Sequence, residues 1–513
     1  MPTQWATFPV EFKGGLISNQ SPLQQGINSI GSAVLLQNFE PSKDGGYKKV
    51  LGYSKFSDTA ITGTGEVLGV KVVNGDEVIA IRKNGSNVSE YWIGSGTTWT
   101  SLGSAANLGN KVRGSNINFD GNHKIIFVDG VNYPAIFNDT VNSLTFLTSE
   151  TDLLGADQVV SYKQHIFVAN GSLLYFSAPF DETDWTPANG AGVVNIGHEI
   201  TGLIVFRDQL IIFSRNKIQR LVGSSVSDFQ LLPIAEDIGC LFPDTVQEVG
   251  GDVMFMAPDG LRLLGATDRI GDFGLEVASA PITRDAQKFI KSSSNFSSMV
   301  IREKAQYRVY AYTSSVNANN ATGVLATKFA DQGSSRMEWS TLKGFKIFCC
   351  DGRYISGEEI SIFANDDGYV YQIETQSSRD GEIIEAIFQS PFMPITDPQK
   401  RKTLYKMALY TDISGTFGVD VNIYFDIFKI DNYNGNIRPS TIRLESTSDG
   451  VFIFGEPSAV YGTAIFGAEL DKLYETPLIG SGKTFSFRIE DNSTNPSFTL
   501  DTAVFEYREH DRQ

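Results

Sequence analysis

One recurrent unit limits what this chain can become: an alternating apolar strand, a short polar turn, a second apolar strand, an Asn-Gly or Asp-Gly turn, and a third strand. It is written in "VLGVKVVNGDEVIAIRKNGSNVSEYWIG" from Val67 and again in "NINFDGNHKIIFVDGVNYPAIFN" from Asn116. It returns in "VVSYKQHIFVANGSLLYFSA" from Val159, "ITGLIVFRDQLIIFSRNKIQRLVG" from Ile200 and "VQEVGGDVMFMAPDGLRLLGA" from Val246. The turn dipeptides Asn84-Gly85, Asp129-Gly130, Asn170-Gly171, Arg215-Asn216 and Asp259-Gly260 recur at roughly 44-residue spacing, the length of a four-stranded propeller blade. Asn, Asp and Gly tolerate the positive φ angles that tight hairpins demand.

Units of this kind have apolar faces that none can bury alone, so they must stack on one another. Two less regular members, "MVIREKAQYRVYAYTSS" from Met299 and "FKIFCCDGRYISGEEISIFANDDGYVYQIE" from Phe345, extend the series. The expectation is an all-β chain: a β-propeller of about six or seven four-stranded blades over residues 61–388. Two β-sandwiches with coincidental spacing are the alternative. "QSPFMPITDPQKRKT", Gln389 to Thr403, breaks the pattern with three prolines and a basic cluster and reads as an interdomain crossover. The stretches beyond it alternate with period two, which predicts a C-terminal β-sandwich platform domain over 389–513. Residues 1–60 read as an irregular leader in which "GINSIGSAVLLQNFEP", Gly26 to Pro41, is one short helix.

The formal charge of −17, with 59 acids against 42 bases, argues against a general nucleic-acid binder, which needs clustered Lys and Arg. Three cysteines, Cys240, Cys349 and Cys350, make no disulfide framework for 513 residues and point to synthesis in a reducing cytoplasm. The N-terminus lacks the pattern of a signal peptide, and no apolar run reaches the ~18 residues of a membrane span, so no membrane anchor is expected.

Chemistry-bearing patterns are sparse. His123 and His165 fall at corresponding points of neighbouring repeats, where solvated hairpin positions are expected; His198 and His510 stand apart, and no HExxH or CxxC accompanies any of them. Cys349 and Cys350 are adjacent on a strand, so they point to opposite faces, one to the core and one to the surface. Glu358-Glu359 and Asp366-Asp367 read as solvated turn ends, and "NDDGY" and "DNYNGN" miss the EF-hand spacing. No nucleophile elbow or phosphate loop is present, so the expectation is a non-enzyme with no catalytic residues, no metal and no cofactor.

The stretch "QNFEPSKDGGYKKVLGY" resembles the leader of tail nozzle or hub proteins of short-tailed bacteriophages, the tail tubular or DNA-stabilisation group, at Asn38, Pro41, Gly45, Gly46, Lys49 and Gly52; Val50-Leu51 stands where that family often has Arg-Pro. "DIGCLFPDTVQEVGGDVMFMAPDGLRLL" is similar to its recurrent Gly, Pro, strand and Asp-Gly order at Gly239, Pro243, Val246, Gly250 and Gly260. "LLYFSAPFDETDWTP" resembles a Tyr-x-Ser loop of the family with Trp185 in the aromatic place, and the strands from Arg401 with the closing "FEYREHDR" resemble its platform. The resemblance implies a virion tail protein that forms a ring, a hexamer, below the portal and adaptor complex. Such a ring holds packaged double-stranded DNA back without sequence specificity, then conducts it during ejection, and meets tail fibres or a spike. Within that reading, Lys43, Lys48 and Lys49 form a basic island for docking on an acidic neighbour. A host-recognition propeller that binds or cleaves carbohydrate is the alternative, because "SGTTWTSLG" around Trp99 resembles the end of the Asp box of sialidases; the bland reading of Trp99 is blade packing. A cellular scaffold propeller is a third.

Overall fold

The computed structural model describes residues 5–265, 277–331, 334–413, 415–426, 441–445 and 473–510. It is all-β: two short α-helices, Pro22–Asn28 and Thr283–Ile290, lie wholly within those residues. Seven sheets follow one another along the chain. Four have four strands in simple sequence order, over 64–104, 113–146, 158–195 and 200–235 (sheets 1 to 4), as propeller blades do. Sheet 5 has three strands over 247–263 among the described residues. Sheet 6 has four over 295–343, and sheet 7 combines three over 349–373 with Tyr53–Lys55 from the leader.

Turn chemistry sets this order. All five dipeptides read from the sequence mark the passage from the second to the third strand of sheets 1 to 5, with Asn170 ending one strand and Gly260 opening another. Asn84 Oδ1 accepts from the backbone N–H of Ser86 at 2.9 Å, and Asp129 Oδ1 from those of Val131 and Asn132 at 2.9 and 2.7 Å, side-chain copies of a backbone turn. The faces so formed are buried sheet on sheet. One apolar cluster joins sheets 1 and 2 through Ile79, Tyr91 and Phe127; another joins sheets 2 and 3 through Ile126, Ile166 and Val168. Phe167 shares a cluster with Leu210 between sheets 3 and 4, Phe213 meets Phe255 between 4 and 5, and Met256 shares a cluster with Val309 between 5 and 6. Tyr310 and Phe363 join sheets 6 and 7, and Ile362 with Val72 and Ala80 joins sheet 7 back to sheet 1.

Two further sheets use the C-terminal residues. Sheet 8 runs in the order Phe39–Pro41, Tyr47–Lys49, Phe498–Glu509, Lys402–Ile413, Leu473–Gly482, with Ala6–Glu11 also paired to Phe498–Glu509. Sheet 9 runs Leu35–Gln37, Ile384–Gln389, Phe485–Ser493, Gly418–Phe425, Ile442–Glu445 and is continuous with sheet 6, because Gln37 bridges Thr341. Phe485 and Phe487 of sheet 9 meet Phe505 of sheet 8 at 4.9 and 5.1 Å between ring centres, so the two sheets share an apolar layer.

Residues 1–60 are therefore not an irregular leader. Within them five strands are shared among sheets 7, 8 and 9, and the helix expected over Gly26 to Pro41 gives way after Asn28 to the strands Leu35–Gln37 and Phe39–Pro41. Backbone partners from distant strands override weak local periodicity there. The Gln389 to Thr403 stretch connects the sheet 9 strand Ile384–Gln389 to the sheet 8 strand Lys402–Ile413.

Candidate functional site

The stretch that carried the docking expectation is a hairpin, Phe39–Pro41 against Tyr47–Lys49, which forms one edge of sheet 8 through the pairing of Tyr47 and Lys48 with Leu500 and Thr499. Asn38 precedes it at φ 52°, a left-handed backbone that Asn accepts more readily than most residues. Its amide donates to the carbonyls of Lys343 (3.0 Å) and Glu385 (2.9 Å) and accepts from the N–H of Lys343 (2.9 Å), joining sheet 6 to sheet 9. Gly46, at φ 72°, lies where a Cβ would meet Leu500 O at 2.3 Å; at Gly52 the same atom would meet Ser378 O at 1.9 Å. The Tyr47 hydroxyl accepts from Gly15 N–H and donates to Gly31 O.

The three lysines do not form one exposed island. Lys43 is exposed and donates to Glu303 O at 3.3 Å, and Lys48 is half-buried in the strand paired to Thr499. Lys49 is fully buried: its Nζ lies 2.7 Å from Asp491, also buried, and 2.9 Å from Ser493 O. Burial pulls its pKa down, and Asp491 opposes that shift. Lys49 is thus a structural cation and drops out of the docking set, which leaves Lys43 and Lys48. Sequence reasoning missed its partner because Asp491 lies 442 positions away.

Beside the hairpin sits a second buried charge group. Arg308, fully buried in sheet 6, reaches Glu40 of the hairpin at 3.0 Å and Glu374, just past the last sheet 7 strand, at 2.6 Å. Lys304 pairs with the same two carboxylates. Burial alone would lower the Lys304 pKa; Glu40 and Glu374 reverse that and raise it.

Six of the seven sheets, all but sheet 4, converge on a cavity of about 690 Å³. Arg113, opening sheet 2, holds Asp244, just before sheet 5, by two bonds of 2.7 and 3.0 Å. Lys111 Nζ lies 3.1 Å from the same carboxylate and 2.6 Å from Ser297 Oγ of sheet 6. Burial would raise the Asp244 pKa, but Arg113 and Lys111 outweigh it and hold the carboxyl well below the usual range. Asp157, before sheet 3, behaves oppositely: burial raises its pKa against the pull of Arg113. The Tyr312 hydroxyl meets Glu66 at 3.2 Å on another wall. Nothing in the local sequence marks this cluster, since its members come from turns separated by scores of residues.

No family model matches the chain, and no curated protein matches it. Among solved structures, one described as the extracellular domain of a hybrid two-component system from B. thetaiotaomicron is 11% identical, with a TM-score of 0.37. The match covers 72% of this chain and 44% of that one. A likeness that low carries no argument about fold or function.

The other singled-out residues take structural places. His165 is not solvated: it is buried, with Nδ1 2.6 Å from Ser177 O and its ring against Phe167, Phe176 and Phe229. His123 is half-buried between Asp139 and Asn116, with Arg353 Nη1 3.1 Å from Nε2; burial and then the Arg353 charge lower its pKa. Cys349 is buried and Cys350 half-buried; burial raises both thiol pKa values, that of Cys350 to about 12. Trp99 donates to Thr59 O at 3.0 Å and its ring covers Gly94, which is packing between strands. Glu359 accepts from the backbone of Arg302 and Glu303, and Asp366 pairs with Lys346 at 2.7 Å. Among the described residues no group of three or more His, Cys, Asp or Glu is placed to hold a metal ion, and no helix is long and apolar enough to cross a membrane. The "DNYNGN" stretch lies outside the described residues.

Proposed function

We propose that sheets 1 to 7 close into a seven-bladed β-propeller, that sheets 8 and 9 form a β-sandwich, and that the chain is a structural virion protein. In this reading copies assemble as a ring, a hexamer, in the nozzle or hub of a short-tailed bacteriophage tail below the portal and adaptor. The ring retains packaged DNA and conducts it at ejection. Closure is supported by the apolar cluster between sheets 7 and 1 and by Tyr53–Lys55, which completes the last sheet from the front of the chain.

The observation that carries the functional reading is the placement of the family-like leader. Asn38, Pro41, Gly46, Lys49 and Gly52, five of the six positions that carry the resemblance, are buried or sterically required where propeller and sandwich meet. A joint fixed in this way suits a stiff two-part building block, which a ring that resists packaged DNA requires. Heterologous ring contacts demand two different faces per copy, and a two-part subunit offers them.

The deciding experiment is an image of the virion with this chain tagged. Density for the tag in a symmetric ring at the tail, under the portal and adaptor, is expected; label on the capsid shell or absent from particles overturns the reading. Docking is tested with Lys43→Glu together with Lys48→Glu, since Lys49→Glu would bury two carboxylates and report on folding instead. Loss of incorporation into tails with an unchanged Tm is expected; normal incorporation removes the lysines from the interface.

A further inference from the structure

Sheet 8 carries an open groove of about 680 Å³ on the side turned away from sheet 9, a volume within the span of small-molecule sites, typically about 300–1,000 Å³. Phe8, Met407, Leu478 and Phe505 point into the apolar layer shared with sheet 9, and their neighbours Thr7, Lys406, Pro477 and Glu506 line the groove. A bulge builds its centre. The register of both ladders of Lys402–Ile413 breaks between Leu404 and Lys406, and Tyr405 has no partner residue in either. Tyr405 and Lys406 therefore both face outward, while Leu404 and Met407 are buried. Tyr405 meets Trp5 edge to face at 4.3 Å between ring centres, and Trp5 stays 58% exposed.

The charged residues lining the groove are Lys406, Glu475 and Glu506. Lys406 Nζ lies 2.6 Å from Glu475, and Glu506 is its cross-strand neighbour on the other side. Among the described residues the Glu506 carboxylate accepts no hydrogen bond, and the Trp5 indole N–H and the Thr7 and Tyr405 hydroxyls have no partner. These groups select a ligand by elimination. An anion would face two carboxylates. A cation drawn to Glu506 would face the Lys406 ammonium beside it. A hydroxyl both donates and accepts, so a neighbouring pair can give to Glu506 and take from Lys406, whose three N–H groups are not all spent on Glu475. The exposed Trp5 ring offers an apolar face to the C–H side of a saccharide ring.

We propose that this groove binds a neutral saccharide, one pyranose ring stacking on Trp5 and two neighbouring hydroxyls bridging Lys406 and Glu506. The groove is open to solvent along the sheet, so a ring within a longer glycan enters it without threading. The site owes nothing to the Trp99 segment, which packs between strands, and it stands or falls independently of the assembly role.

Saturation-transfer NMR on the full chain near neutral pH tests the proposal, with maltotriose, cellotriose and 1,4-β-galactotriose as probes and L-argininamide as the cationic comparison. At least one trisaccharide is expected to bind with millimolar affinity or better, with transfer strongest at the C–H protons of one ring face. Trp5→Ala and Glu506→Gln are each expected to weaken that binding roughly tenfold or more. Tm is expected to stay unchanged in both, because neither side chain is buried. No transfer to any of the three saccharides at on the order of 10 mM overturns the site. So does binding that both variants leave unchanged, which would place the saccharide elsewhere on the chain. Argininamide binding more tightly than every saccharide also overturns it, since charge would then be the feature recognised.

Discussion

Asn38 shows how one side chain replaces several backbone partners. At φ 52° it stands where most residues strain the backbone by about 1–2 kcal/mol, and its amide meets a donor and two acceptors that belong to different sheets. Asn38→Ala keeps the left-handed backbone and orphans those groups, each costing about 1–3 kcal/mol when buried. A loss of about 3 kcal/mol or more is expected, read as a lower urea midpoint. Asn38→Gly relieves the backbone strain but not the orphaned groups, so it should recover only part of the loss. Equal midpoints for Asn38→Ala and the parent would mean that water reaches these groups and the joint is looser than its geometry implies.

At the scale of elements, the chain's first strands are finished by its last ones. Ala6–Glu11 pairs with Phe498–Glu509, Leu35–Gln37 with Ile384–Gln389, and Tyr53–Lys55 with Val370–Ile373. A chain starting at residue 57 loses all three pairings, exposes the backbone edge of Val370–Ile373 and uncovers the Tyr53 ring contacts with Phe345, Phe363 and Tyr371. It is expected to aggregate on gel filtration, whereas a detachable leader would leave a stable monodisperse remainder. Sheets 1 to 5 were legible in the sequence because each carries its own turn dipeptide, Asn-Gly or Asp-Gly in four of them and Arg215-Asn216 in sheet 4, and its own period-two strands. The leader was not, because strands of three residues show no period and draw their stability from partners more than 300 positions away. The first turns of sheets 3 and 4 read as short polar turns, but their geometry was hidden: Lys163-Gln164 and Arg207-Asp208 all have positive φ without a glycine. Of the docking set, the charge of Lys49 was visible and its burial was not, since burial is decided by Asp491 across the fold.

Across the whole molecule, the Arg113–Asp244–Lys111 group ties sheet 2 to sheets 5 and 6 over the cavity where the sheets converge. A space of about 690 Å³ crossed by ion pairs cannot admit a duplex whose major groove alone is about 12 Å wide, so any DNA conduit lies between copies of the chain, not through one. The same brace gives a pH signature whose sign is fixed. Asp244 has a folded pKa depressed below the unfolded value of about 3.9, so between the two the unfolded chain binds the proton first and stability falls with falling pH. Its contribution is complete above about pH 5, a unit over the unfolded value, and is lost as pH drops through the folded value. Asp244→Asn leaves two cations short of a counter-charge, costing up to about 3–5 kcal/mol, less here because one-fifth of the Asp244 side chain meets solvent. The variant's urea midpoint is therefore expected well below the parent's at pH 7, with the gap closing as both are titrated toward pH 3. A gap that stays constant over that range would show that the carboxylate charge does not couple to the folding of the sheets, and that the brace holds by shape rather than by ions.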